Sequence, residues 1–261
     1  MVGDARTGFV TQLGMDRREA VSFGGEAGFD FVELMMDGES HRDRLRGRAS
    51  DLRAAADDAG LSLLVHLPFG GIDIGSPHEH VREGARREMA AALDAAAEFG
   101  AEKAVLHAST DAWGPAWDEA TLHGHLLESV RELDDRARER GVELCVENIP
   151  RGAFDTNDFP TLFDETEASM TLDTGHARMD GRDDGGIAAL CRDYGHRISH
   201  VHLNDTRVAS DEHLPFGAGT IGFETMFDAL GDEWAGTLSL EVFTDDYRYL
   251  RTSKDRLDEL L

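Results

Sequence analysis

Short apolar runs recur along the chain, and each of the clearest follows a helix-like segment that closes on glycine. Ala27-Gly28 leads into FDFVEL, Ala59-Gly60 into LSLLVH, Phe99-Gly100 into AEKAVLH and Arg140-Gly141 into VELCVE. A glycine just past a helix end supplies the left-handed residue that stops the helix. The runs that follow lack polar alternation and read as strands covered on both faces. The four junctions are 32, 40 and 41 residues apart, so helix and strand alternate and the sheet is parallel. The same reading predicts further strands over 8–13, 169–173, 198–203 and 237–242, eight in all.

Eight parallel strands joined by helices predict one (β/α)8 TIM barrel domain spanning 1–261, and 261 residues is close to the roughly 250 typical of that fold. Asp16 with Glu19 three residues later reads as a capping box opening the first helix. Residues 81–99 carry alanine and apolar residues at helical spacing, with arginine and glutamate opposite, as an outer barrel helix should. Glycine collects in MDGRDDGG and TRVASDEHLPFGAG, the loops after strands six and seven, where this fold carries its chemistry.

Composition changes the picture in two ways. Fifty-two acidic residues face 26 basic ones, of which only Lys103 and Lys254 are lysines. Such a surface resembles that of a halophilic protein, whose like charges are screened when the Debye length shrinks to ~3 Å. It argues against a nucleic-acid partner, an argument that itself weakens in molar salt. The N-terminal stretch has neither a basic start nor an apolar segment of signal-peptide length, and no run approaches the ~20 apolar residues of a membrane span, so the expected location is the cytoplasm and no membrane partner is expected. Cys145 and Cys191 fall in strand-like and helix-like runs and are expected to be buried free thiols.

The chemistry lies at the ends of the strands. The runs end at His66, His107, Glu147, Asp173, His202 and Glu241, with His176 just beyond Asp173, and with Asp211 and His213 in the loop before the last strand. A parallel barrel brings all its strand C-termini to one mouth, so these side chains converge. A lone histidine at a strand end is more often a hydrogen-bonded barrel residue than a ligand, and His200, one layer deeper than His202 on the same face, is read as barrel filling or as a residue behind the ligands. His41, His78, His80, His123, His125 and His196 are expected to be solvated. Glu147 and Glu241 end otherwise apolar strands, where an unpaired charge is costly. Asp173 and His176, separated by Thr-Gly, are expected to leave the strand on a turn. Imidazole and carboxylate without thiolate suit divalent zinc or manganese, one to three ions per chain.

With VENIP at 146, LDTGH at 172, HLND at 202 and DEHLPFGAGTIG at 211, the chain resembles the xylose isomerase-like barrel superfamily, which groups sugar and sugar-phosphate isomerases and epimerases with endonuclease IV. The resemblance runs from FDFVEL to LSLEV. It implies a shared metal on Glu147, Asp173, His202 and Glu241. By analogy with endonuclease IV-like members it implies two more, on His66, His107 and the bridging Glu147, and on His176, Asp211 and His213. Two functions follow as expectations. One is a metal-dependent isomerase or epimerase acting on a small-molecule sugar or sugar phosphate, with Glu147 and Glu241 carrying the proton beside a ketose carbonyl. The other is an endonuclease IV-like phosphodiesterase acting on abasic DNA. Glu33, Phe69, Arg151 and Arg207 are candidate substrate contacts, and the loop MMDGESH lacks the aromatic and amide residues that endonuclease IV-like enzymes insert into DNA. A homo-oligomer is left open.

Overall fold

A computed structural model describes residues 2–150 and 154–261. Its eight strands are β1 (Arg6–Val10), β2 (Phe31–Met35), β3 (Ser62–His66), β4 (Lys103–His107), β5 (Glu143–Glu147), β6 (Ser169–Asp173), β7 (Ile198–Leu203) and β8 (Thr237–Leu240). They pair in parallel in chain order, and β8 returns to β1 to close the barrel. Helices Arg17–Ala27, Ala49–Ala59, Glu79–Glu98, Glu119–Glu139, Phe159–Glu165, Asp184–Tyr194, Phe223–Leu230 and Tyr247–Asp258 form the outer ring. The protein is therefore a (β/α)8 TIM barrel. No helix among the described residues is long and apolar enough to cross a membrane.

The glycine junctions behave as their sequence implies. Gly28, Gly60, Gly100 and Gly141 all hold φ between 71° and 80°, in the left-handed region. Asp16 caps the first helix by accepting from the backbone N–H groups of Arg18 and Glu19. Cys145 and Cys191 are buried free thiols.

Four local expectations need correction. The first strand is Arg6–Val10, not 8–13, because its polar start is a barrel-floor element: Arg6 reaches Ser62 and Glu102, and the Thr7 N–H donates to the Asp30 carboxylate. The last strand stops at Leu240, since after the Glu241 N–H donates to Leu203 O the chain turns through a Thr244 N–H to Val242 O bond. Asp173 and His176 do not leave β6 on a turn; Asp173 caps a short helix, Thr174–Met179, by accepting from the His176 N–H at 2.6 Å. Of the histidines expected to be solvated, His78, His80 and His196 are exposed, whereas His41, His123 and His125 are half-buried and His123 stacks on Phe154.

Candidate metal centre

Strand register assembles the site. Pairing of β4 with β5 sets His107 beside Glu147, and pairing of β6 with β7 sets Asp173 beside His202. His66 ends β3, Glu241 follows β8, and the β7–β8 loop brings in Asp211 and His213. That loop is shaped by Asp205, whose carboxylate accepts from the N–H groups of Thr206, Gly219 and Ile221. His213 adopts φ 44°, the one positive value among the described non-glycine residues, and its ring lies flat on Phe243 with centroids 3.8 Å apart. Backbone strain of this kind persists where the surroundings enforce it.

The nine side chains form three groups, in each of which the ligand atoms lie within 4.8 Å of one another: His66, His107 and Glu147; Glu147, Asp173, His202 and Glu241; and His176, Asp211 and His213. Glu147 joins the first two. Its Oε2 faces His107 Nε2 at 3.0 Å and His66 Nε2 at 3.5 Å, while its Oε1 faces His202 Nδ1 at 3.5 Å. In the third group Asp211 Oδ1 lies 2.8 Å from His213 Nε2 and 3.4 Å from His176 Nε2. Ligands ~2.0–2.1 Å from a tetrahedral cation stand ~3.3 Å from each other, so these separations suit atoms sharing an ion. His202 Nδ1 and Glu241 Oε2, 3.2 Å apart, are buried with no well-formed hydrogen bond, an arrangement that a cation held between them would satisfy.

The outer nitrogens are held as well. His66 Nδ1 is bonded to Leu67 O, His176 Nδ1 to Asn148 O and His213 Nδ1 to Glu241 O, each at 3.0–3.2 Å, which leaves Nε2 of each ring as the ligand atom. Asn148 also exchanges two bonds with the backbone of Asp173, and the Asn204 amide donates toward Asp173 and Asp211. These two amides, Asp205 and Phe243 were not singled out from sequence, although VENIP and HLND contain the first three.

Electrostatics point the same way. Burial raises Asp173, with the Glu241 and Glu147 charges adding to it, to about 7. Burial would also raise Glu147 and Glu241, but the surrounding imidazoles outweigh it: Glu147 is held well below the carboxylate range and Glu241 at about 2. Against desolvation, Asp173 and the hydrogen bond to Asp211 push His176 up to about 12. Such a concentration of negative potential in a buried mouth attracts divalent cations.

The candidate substrate contacts fall in different places. Phe69 stands over the first group, 43% exposed and stacked on His107. Arg207 is exposed and its guanidinium is paired with Glu212. Glu33 is fully buried, with both carboxylate oxygens on imidazoles. Arg151 lies outside the described residues.

The chain is 26% identical over 246 residues to the uncharacterized protein MJ1311 of Methanocaldococcus jannaschii, covering 90% of this chain and 82% of that one. It is 31% identical over 201 residues to a probable endonuclease 4 of Mycobacterium ulcerans, covering 72% and 74%. Its fold matches the crystal structure of a D-tagatose 3-epimerase-like protein with a TM-score of 0.80 at 24% identity, over 98% and 96% of the two chains. Residues 22–260 match the family described as xylose isomerase-like TIM barrel. The chain belongs to the xylose isomerase-like TIM barrel family.

Proposed function

We propose that this protein is a divalent-metal-dependent isomerase or epimerase that moves a proton on the carbon beside the carbonyl of a sugar or sugar phosphate. The observation that carries the reading is the placement of Glu147 and Glu241 about one nitrogen: their carboxylates lie 3.5 and 3.2 Å from His202 Nδ1. Both are kept ionised by their imidazole neighbours, so each can accept a proton. Glu147, Asp173, His202 and Glu241 would hold the ion. The metal, zinc or manganese, would polarise the substrate carbonyl and acidify the adjacent C–H.

One glutamate removes the proton and the other, first protonated from solvent, delivers one, to the neighbouring carbon in isomerisation or to the opposite face of the same carbon in epimerisation; the acid formed on the first then gives its proton back to solvent. Phe69, over His66 and His107, supplies an apolar wall for a sugar ring. The D-tagatose 3-epimerase-like structural neighbour supports this choice of substrate class.

A second reading rests on a separate observation: the two outer ligand groups are complete, which a single-metal proton transfer does not require, and a relative is named a probable endonuclease 4. Under it the chain would cleave abasic DNA. The deciding experiment incubates the metal-loaded protein in molar salt with a ketose panel in D2O and, in parallel, with an abasic-site duplex. Deuterium entering at the carbon beside the carbonyl, with turnover lost by ~10²–10⁴ in Glu147→Gln and Glu241→Gln, is the expected result. Strand cleavage with no ketose processed would transfer the protein to the second reading.

A further inference from the structure

A line of polar side chains runs up the barrel axis from its floor to the metal centre. Lys103, buried at the floor, donates from Nζ to Ser199 O at 2.6 Å, to Ser199 Oγ at 2.8 Å and to Thr237 Oγ1 at 3.1 Å. Thr237 Oγ1 lies 2.7 Å from His200 Nδ1. His200 Nε2 lies 3.0 Å from Glu33 Oε2, and His202 Nε2 lies 3.1 Å from Glu33 Oε1. His202 Nδ1 then faces Glu241 and Glu147. Glu33, Thr237, His200 and His202 each have 0% exposure, so no substrate reaches Glu33.

Counting hydrogens gives this line a direction. The Lys103 ammonium can only donate, so Thr237 Oγ1 accepts from it and is free to give its own hydrogen to the closer of its two neighbours, His200 Nδ1 at 2.7 Å rather than Ser199 O at 3.3 Å. The remaining hydrogen of His200 is then on Nε2 and points at Glu33. The carboxylate, an acceptor only, takes that hydrogen on Oε2 and a second from His202 Nε2 on Oε1. The opposite direction would press a bare imidazole nitrogen against a buried carboxylate oxygen. The two histidines occupy different oxygens of Glu33, as two separate hydrogen bonds do.

We propose that Glu33 is a positioning residue: its carboxylate, oriented through Lys103, Thr237 and His200, fixes the His202 ring with hydrogen on Nε2 and a bare Nδ1 presented to the central ligand group. His202 differs here from His66, His176 and His213, whose Nδ1 atoms rest on backbone carbonyls and whose Nε2 atoms face the site. A backbone carbonyl cannot be removed by a side-chain change; Glu33 can. The inference rests on reading the site as a metal centre.

Zinc alone is the probe, added to folded wild type, Glu33→Gln, Glu33→Asp and Thr237→Val in competition with a chromophoric chelator. A glutamine amide offers one acceptor and one donor in place of two acceptors, so one imidazole must move its hydrogen. We expect zinc affinity to fall 10–100-fold in Glu33→Gln, as for other partners of ligating histidines. A smaller loss is expected in Thr237→Val, and partial rescue in Glu33→Asp. Ring ¹⁵N NMR of the wild type should place the His200 and His202 hydrogens on Nε2. Wild-type zinc affinity in Glu33→Gln, or hydrogen on His200 Nδ1, overturns the role of Glu33. Should Glu33→Gln fail to fold, Thr237→Val and the wild-type NMR decide. Absence of zinc uptake by the wild type sinks the metal centre itself, and this role with it.

Discussion

The ring of Phe69 lies over that of His107, with centroids 4.6 Å apart and planes 27° from parallel, and its edge meets His66 at 5.4 Å. An apolar side chain with this much exposed surface beside two candidate ligands holds their rings in place and walls the mouth. Phe69→Ala is expected to cost about 1 kcal/mol of stability, the value of an aromatic pair. It is also expected to raise KM for the sugar more than it lowers kcat, as loss of uniform binding does. Thermal melts and steady-state kinetics check both.

His176, Asp211 and His213 form a group separate from the four ligands around Glu241. We expect more than one divalent ion per wild-type chain by elemental analysis, and one fewer in His176→Ala or His213→Ala. One ion in the wild type, with both variants unchanged in metal and activity, would leave only the four-ligand site.

In the metal-free protein burial would lower His213, but the Glu241 charge and the Asp211 hydrogen bond raise it to about 9. Its proton competes with metal, so zinc affinity measured by chelator competition should increase from pH 6 to 9. The sign for stability is the reverse. A raised histidine stabilises the metal-free fold fully below its unfolded value of ~6.5, and that contribution disappears as pH climbs through about 9. The metal-free melting temperature should therefore decline over this window, while the zinc-loaded protein, in which metal would replace the titrating proton on His213 Nε2, should not follow it.

Gly175 sits where a Cβ would come within 2.6 Å of the Asn204 side chain, which itself donates toward Asp173 and Asp211. Gly175→Ala should cost ~1–3 kcal/mol by overpacking and displace that amide from both carboxylates. Melting temperature and metal content measured together would show whether the two effects travel as one.

The legible parts of this protein were those with a local cause. Gly28, Gly60, Gly100 and Gly141 stop helices by their own backbone freedom, and a histidine or carboxylate ending an apolar run is visible without knowing its neighbours. What escaped depends on partners far away in the chain. Glu33 looks like a polar residue pointing into a sugar pocket until His200 and His202, 167 and 169 residues on, are seen to occupy both its oxygens. Arg207 looks available for a phosphate until Glu212 is found on its guanidinium. The start of β1 was missed because Arg6 and Thr7 carry polar side chains whose burial depends on Ser62, Glu102 and Asp30.

The spread of the ligands along the chain gives the centre a mechanical meaning. From His66 to Glu241 they draw on the ends of β3, β4, β5, β6, β7 and β8, while β1 and β2 contribute none. Ions bound there would act as a hoop around six staves of the barrel, opposed at the other rim by the Lys103 contacts that tie β4 to β7 and β8. Chelation should then slacken one rim only. Amide exchange would accelerate at the strand C-termini and the β7–β8 loop, while the floor keeps its protection.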